Sequence, residues 1–296
     1  MTKFLVFNCL TALLFIRSVS FAQTESFEEQ VKNLAKNIKG TVGVTVMKVE
    51  EKQHFSWNGD KHFPMQSVFK FPIAMAVLHE IDSGNCSLDK MIHVAKEDMY
   101  KTYSPLRDKY PEGNIDVSIR DLLVYMVSLS DNNACDILLE KVVSVSKTET
   151  FLRKLGIKGI QIKASEKEMG KDWNVQYTNW TQPVEMGRLL EIVFREKALS
   201  KSSNTFLLKI MTETPTGLKR IKGLLPEGTS LAHKTGTSST NSEGITAAVN
   251  DVGIVTLPNG KHLIICIFIM NANERAEGIE PTIAAIAKAA FDWGMK

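Results

Sequence analysis

Strand signals stand at both ends of this chain and helical signals between them, and that arrangement most limits the folds open to it. Near the start TVGVTVMKVE alternates like a strand, and QHFSW offers a hairpin partner. Late in the chain GTSLAHKTGT, GITAAVNDVGIVTL and KHLIICIFIM carry the same signal, with Pro258-Asn259-Gly260 as a hairpin turn. Between them lie FKFPIAMAVLHEI, VSIRDLLVYMVSL with Ser118 and Asp121 placed as a capping box, NNACDILLEKVV, and VEMGRLLEIVF. Glu28 to Ile38 and PTIAAIAKAAFDWG read as helices at the two ends. The expected fold is α/β of the α+β type: a mainly antiparallel sheet built from both chain ends with flanking helices, plus an inserted all-helical domain. The expected boundaries are 23–64 and 215–296 for the discontinuous sheet domain and 65–214 for the insert, with the active site in the cleft between them. Within the insert, 162–180 has little periodicity but holds Trp173, Tyr177 and Trp180, and reads as a compact functional loop.

Residues 1–22 read as a secretory signal peptide. Lys3 precedes an apolar stretch from Phe4 to Ile16, and Ser20 and Ala22 supply small residues before Gln23. The stretch is too short for a membrane span, so a periplasmic, exported protein without membrane attachment is expected. Cleavage removes Lys3 and Arg17 and no acid, lowering the net charge from +3 to +1. That balance gives no footprint for nucleic acid or an anionic membrane. The remaining Cys86, Cys135 and Cys266 are odd in number and widely spaced, which argues against a disulfide framework or a zinc site. The six histidines, His54, His62, His79, His93, His233 and His262, lack H-E-x-x-H or comparable spacing, so no metal is expected.

The chemistry concentrates in four polar clusters. Ser67 and Lys70, three residues apart in QSVFKFPIAM, open a helix that is apolar on every side. A lysine buried there must find partners or shed its proton, and beside a hydroxyl it is a base beside a nucleophile. The other S-x-x-K matches, Ser87 with Lys90 and Ser144 with Lys147, lie in polar surroundings and read as solvated faces. Ser130-Asp131-Asn132 interrupts two helices and suits either a capped turn or catalysis. Lys234-Thr235-Gly236-Thr237 lies in a strand, where the lysine suits a strand edge and the glycine suggests a close approach to the backbone. Glu166 sits in the aperiodic loop.

In this order, S-x-x-K, S-D-N, a loop glutamate and K-T-G resemble the class A serine β-lactamases, a signature shared in part with penicillin-binding proteins. QSVFK and the loop QYTNW are most similar to the extended-spectrum, PER-like branch. The resemblance implies a cofactor-free hydrolase acting on cyclic amides, which confers antibiotic resistance. Its substrates are small β-lactams, penicillins and cephalosporins, with cephalosporins favoured, and the protein is expected to be a monomer. It implies Ser67 as nucleophile, Lys70 or Glu166 as its base, Glu166 as the base for deacylation, and Ser130 with Lys234 as the proton route to the leaving nitrogen. The backbone N–H groups of Ser67 and Thr237 would form the oxyanion hole. Asn132, Thr235, Gly236 and Thr237 would bind substrate, with Arg220 as a second cation and Tyr103 as an aromatic wall. A D,D-peptidase of the penicillin-binding class and a covalent β-lactam sensor are the alternatives.

The chain departs from the family pattern in several places. EKEMG replaces Glu-x-x-Leu-Asn, so Gly170 stands where an asparagine usually helps hold the hydrolytic water. Ala164 and Asn179 replace an Arg–Asp pair that closes the loop, which is expected to widen the site for oxyimino-cephalosporins. Glu243 and Gly244 occupy the region of a family arginine, and Gln66 and Ser238 exclude the disulfide of some carbapenem-hydrolysing members. Asn179-Trp180-Thr181 fits the glycosylation triplet, but Thr181 reads better as a helix cap.

Overall fold

The computed structural model describes residues 25–296, so the expected signal peptide lies outside the described residues. The chain begins with α1 (Phe27–Lys36), capped by Ser26 in a capping box with Glu29, and the hairpin β1 (Thr41–Lys48) and β2 (Gln53–Trp57). After β3 (Phe63–Pro64), a 3₁₀ turn over Gln66–Phe69 leads directly into α2 (Lys70–Asp82). There follow β4 (Met91–Val94), α3 (Pro105–Lys109), β5 (Ile115–Ser118), α4 (Ile119–Val127), α5 (Asn132–Lys141) and α6 (Val145–Lys154). The loop region holds β6 (Ile160–Gln161), α7 (Glu166–Met169) and β7 (Trp180–Thr181), and α8 (Pro183–Phe194) and α9 (Lys201–Thr212) come next. The chain ends with β8 (Leu231–Thr237), β9 (Thr246–Thr256), β10 (His262–Ala272) and α10 (Ala276–Gly294).

The five-stranded sheet has the order β2-β1-β10-β9-β8 and is antiparallel throughout, so strands from both chain ends do build one sheet. Alternation along β10 divides its side chains between two cores. Ile265, Ile267 and Ile269 join Ile279, Ile283 and Ile286 of α10, while Ile264, Cys266 and Phe268 join the core that holds α2 and α8. α2 is buried from Lys70 through Leu78, as a helix apolar on all sides must be. Gly260, with φ 79°, forms the tight β9–β10 turn with Leu257.

Three expectations need correction. The insert is not wholly helical, because β4 pairs with β5, and β3, β7 and β6 form a second small sheet. Strands of two to four residues carry too little alternation to show in the sequence. The last helix starts at Ala276 and contains Pro281, which stands in its second turn rather than opening it. Thr181 does not cap α8; the cap is Gln182, whose side chain makes no capping bond, and Pro183 sets the first turn by its fixed φ. Among the described residues no helix is long and apolar enough to cross a membrane. Cys86, Cys135 and Cys266 are all free thiols, and Cys135 and Cys266 are fully buried.

Candidate active site

Ser67 lies in the 3₁₀ turn, one residue after Gln66, whose φ of 47° bends the chain into α2. β8 runs against this turn. A Cβ on Gly236 would stand 2.4 Å from the Met65 carbonyl oxygen and 3.1 Å from the Val68 nitrogen, so only glycine lets the strand lie there. The close approach expected at this glycine is therefore made by the protein's own turn around Ser67. Ser238 donates its N–H to the Ala248 carbonyl, and antiparallel pairing alternates, so the Thr237 N–H points away from β9 off the sheet edge.

Lys70 is fully buried beneath Ser67. Its Nζ lies 3.0 Å from Ser67 Oγ, 2.7 Å from the Ser130 carbonyl oxygen, 2.6 Å from Asn132 Oδ1 and 2.7 Å from Glu166 Oε1. An ammonium has three protons to give to these four oxygens. Glu166 Oε1 is the one left without a directed hydrogen bond, although it makes the charge contact. At 2.7 Å, with both side chains largely buried, the two opposite charges attract strongly whatever the angle.

Glu166 is placed from behind. Its N–H donates to Asp136 Oδ1 at 2.8 Å, and the Lys167 N–H donates to Oδ2 at 2.8 Å. The Tyr100 hydroxyl donates to the same Oδ2, while burial holds the Asp136 carboxyl above the usual range and the Tyr100 phenol well above its own. Glu168 is otherwise engaged, accepting the Ser165 N–H in the capping box of α7. Of the two loop glutamates, Glu166 is thus the one that reaches Lys70.

Asp131, Asn132 and Ser130 divide the two roles their sequence allowed. Asp131 is the capped turn: its buried carboxylate accepts from the N–H groups of Ala134 and Leu106 and from the Ser104 hydroxyl. Asn132 turns its amide to Lys70 and Thr102, and its N–H donates to the Tyr103 carbonyl. Ser130, with φ 59°, accepts at Oγ from Lys234 Nζ at 2.9 Å. Lys234 is 1% exposed and also donates to the Thr235 carbonyl. Burial first, and then the Lys70 charge, push its pKa well below the ordinary lysine value.

Arg220 comes from the connection between α9 and β8 and is 5% exposed. Nη1 donates to the carbonyls of Gly236 and Asn250, Nη2 to Thr237 Oγ1 at 2.6 Å, and Nε to Glu280. The Thr235 hydroxyl pairs with that of Thr216. The Tyr103 ring is 59% exposed, and it is Thr102 that lines the cavity beside Asn132.

That cavity, about 360 Å³, runs from Asn132 and Glu166 past Gly170, Trp173 and Gln176 to Thr237 and Ser239. Asn179 closes the loop beside it in place of an ion pair. Its Oδ1 accepts the N–H groups of Lys163 and Ala164, and its Nδ2 donates to the Ala164 carbonyl. Gln66 donates to Gln176, tying the loop to the turn that carries Ser67. Sequence reasoning missed Asp136, Tyr100, Thr102 and Gln176. Asp136 left no signal in the sequence, since its neighbours on the helix face, Asn132, Asn133 and Glu140, are polar too. Ser144 merely caps α6, and Ser87 closes a surface turn with Lys90, so neither spare S-x-x-K match joins the site.

The profile of the family described as "Beta-lactamase enzyme family" matches residues 26–293. Beta-lactamase VEB-1 of Pseudomonas aeruginosa is 44% identical over 287 residues, covering 96% of this chain and 95% of that protein. The extended-spectrum beta-lactamase PER-1 of the same organism is 38% identical over 290 residues, covering 97% and 94%. A solved class A beta-lactamase from Bacteroides cellulosilyticus superposes with a TM-score of 0.87 at 39% identity, covering 91% of this chain and 98% of that one. A match over nearly the whole length, on a site already assembled around a serine and the buried lysine beneath it, leaves one assignment: the chain belongs to the β-lactamase enzyme family, as a class A hydrolase of the β-lactam amide.

Proposed function

We propose that the protein opens penicillins and cephalosporins through a covalent ester on Ser67. The observation that carries this reading is the buried Lys70 ammonium shared between Ser67 Oγ and Glu166. Lys70 passes a proton to Glu166 across 2.7 Å and then, as a free amine, takes the proton of Ser67. Ser67 Oγ attacks the lactam carbonyl carbon, and the oxyanion is met by the N–H groups of Ser67 and Thr237. The C–N bond breaks as Ser130, whose Oγ is held by Lys234, gives its proton to the ring nitrogen, and Lys70, whose Nζ reaches the Ser130 carbonyl beside it, replaces the Ser130 proton. Glu166, having returned its proton to Lys70, takes a proton from water as the water attacks the ester carbonyl, and that proton passes to Ser67 Oγ as the acyl C–O bond breaks. The net change is one water added across one amide.

Substrate carboxylates are held by Lys234, Thr235, Thr237 and Arg220. Arg220 has five N–H donors and four are committed, so it acts largely by accepting no proton and fixing Thr237, whose hydroxyl then donates outward. Asn132 holds the acylamide. Gly170 and the neutral Asn179 closure leave the adjoining cavity open to bulky oxyimino groups, which supports a preference for such cephalosporins over simple penicillins. The protein works as a periplasmic monomer after loss of residues 1–22.

A time course with a chromogenic cephalosporin, followed by intact mass of the same sample, tests this reading. Many turnovers with little adduct are expected from the wild type, and a stoichiometric burst with a lasting adduct on Ser67 from Glu166→Ala. Unchanged steady-state turnover in that variant would remove Glu166 from its role. Oxyimino-cephalosporin turnover no better than that of simple penicillins would remove the preference.

A further inference from the structure

His233 and Asp251 form a buried pair that the reaction scheme leaves unused. Successive side chains of β8 face opposite ways, so His233 shares a face with Thr235 and Thr237, opposite Lys234. His233 is 2% exposed and Asp251 is fully buried. Nδ1 of His233 lies 2.9 Å from Asp251 Oδ1 and 3.2 Å from Oδ2, so Nδ1 carries the proton it shares with the carboxylate. Asp251 Oδ2 also accepts the N–H of Ile221 at 3.1 Å. Ile221 directly follows Arg220.

The segment 216–221 lies tightly on this face. Gly217 has φ 70°, and a Cβ there would stand 2.4 Å from Thr235 Cγ2 and 3.4 Å from His233 Cε1. Thr216 Oγ1 meets Thr235 Oγ1 at 3.1 Å, one residue before that glycine. Arg220 must then reach two carbonyls, a carboxylate and a hydroxyl at once, a fork that tolerates little movement of its own backbone. The backbone of Arg220 itself bonds only within its turn, its N–H to the Gly217 carbonyl and its carbonyl to the Gly223 N–H, and the Asp251 contact at Ile221 ties that turn to β9.

We propose that His233 and Asp251 are positioning residues for substrate recognition: Asp251, oriented by His233, fixes the Ile221 backbone and thereby holds Arg220 where it sets Thr237. This rests on the reading of Arg220 and Thr237 as the carboxylate site. Without the imidazole, the carboxylate loses its partner inside the protein and shifts toward other donors, taking Ile221 with it.

The test compares wild type, His233→Leu, His233→Asn, Arg220→Ala and the Arg220→Ala/His233→Leu double variant on a cephalosporin and on its methyl ester, which lacks the carboxylate. His233→Leu is expected to lower kcat/KM on the acid about tenfold, mainly through KM, and to leave the ester unchanged. His233→Asn, which keeps a donor for Asp251, is expected to stay within about threefold of wild type. In the Arg220→Ala background His233→Leu should add nothing, because both changes remove one unit. If Arg220→Ala loses nothing on the acid, the carboxylate reading falls and this proposal with it. If Arg220→Ala does lose affinity, but His233→Leu either matches wild type or costs as much on the ester and adds to Arg220→Ala, only the present proposal falls. Should His233→Leu fail to fold, Asp251→Asn takes its place under the same criteria.

Discussion

Lys70 and Lys234 are buried cations a few side chains apart, and each is costly to the fold. For Lys234 the sign can be worked out. Its folded pKa lies well below the ordinary 10.5, with burial as the largest cause, so the folded state releases this proton before the unfolded chain does. Between those two values the unfolded state binds more protons, and stability from this group rises with pH; below both, the full cost remains. Lys234→Met keeps the volume and drops the charge. It is expected to raise Tm at neutral pH by about 2–4 °C, with the gap to wild type closing as pH nears 10.5, while kcat/KM falls steeply. Thermal melts across that pH range check it, and a variant that melts lower throughout would show that the Ser130 and Thr235 hydrogen bonds outweigh the burial cost. The Ser67–Lys70 contact was legible because, of the three S-x-x-K matches, only this one opens a helix apolar on all sides, and the other motifs follow it in order. Tyr100 and Asp136 were not, because their importance lies in a contact between α5 and a loop thirty residues away, which no local pattern encodes.

At the scale of elements, the loop around α7 decides how the site differs from the family pattern. Gly170 has ordinary helical geometry, φ −72° and ψ −11°, and a Cβ there would meet nothing closer than 3.6 Å. The glycine is therefore not required by the backbone, and Gly170→Asn is expected to fold with Tm within about 2 °C of wild type. Filling the cavity it lines should lower kcat/KM for oxyimino-cephalosporins severalfold and spare or improve small penicillins. Parallel kinetics on the two substrate types, with a melt, check this; equal effects on both would assign the width of the site to another residue. The loop itself was read correctly as compact, yet its closure was read only as a missing ion pair. An amide can bond backbone donors and acceptors at once, and Asn179 does so, a capability that residue type permits but sequence spacing does not announce. α6 and α9 escaped notice because their buried stripes are narrow among many polar residues.

Across the whole molecule, the alternation of strands and the continuous apolar run of β10 were enough to place the sheet, since both of its faces are covered. The small β4–β5 pair was not legible, because its strands are defined mainly by each other. Phe63 shows how the layers are locked: it is fully buried, its ring lies 6.0 Å from that of Phe268, and a Cβ on Gly43 would strike it at 2.4 Å. Phe63→Ala is expected to cost about 3–5 kcal/mol, measured by urea unfolding with the m-value held. A loss below about 1 kcal/mol would mean that the layers collapse freely onto the gap.

The pairing of Thr41 with Met270 carries a further consequence. β1 takes a place in the sheet between β2 and β10, a strand made long after it, and α1 rests on α10, which is made later still. Until those later residues emerge from the ribosome, the early strand has no permanent neighbour on that side. The sheet thus stays open on that side until β10 arrives, and it closes only when segments from far apart in the chain meet.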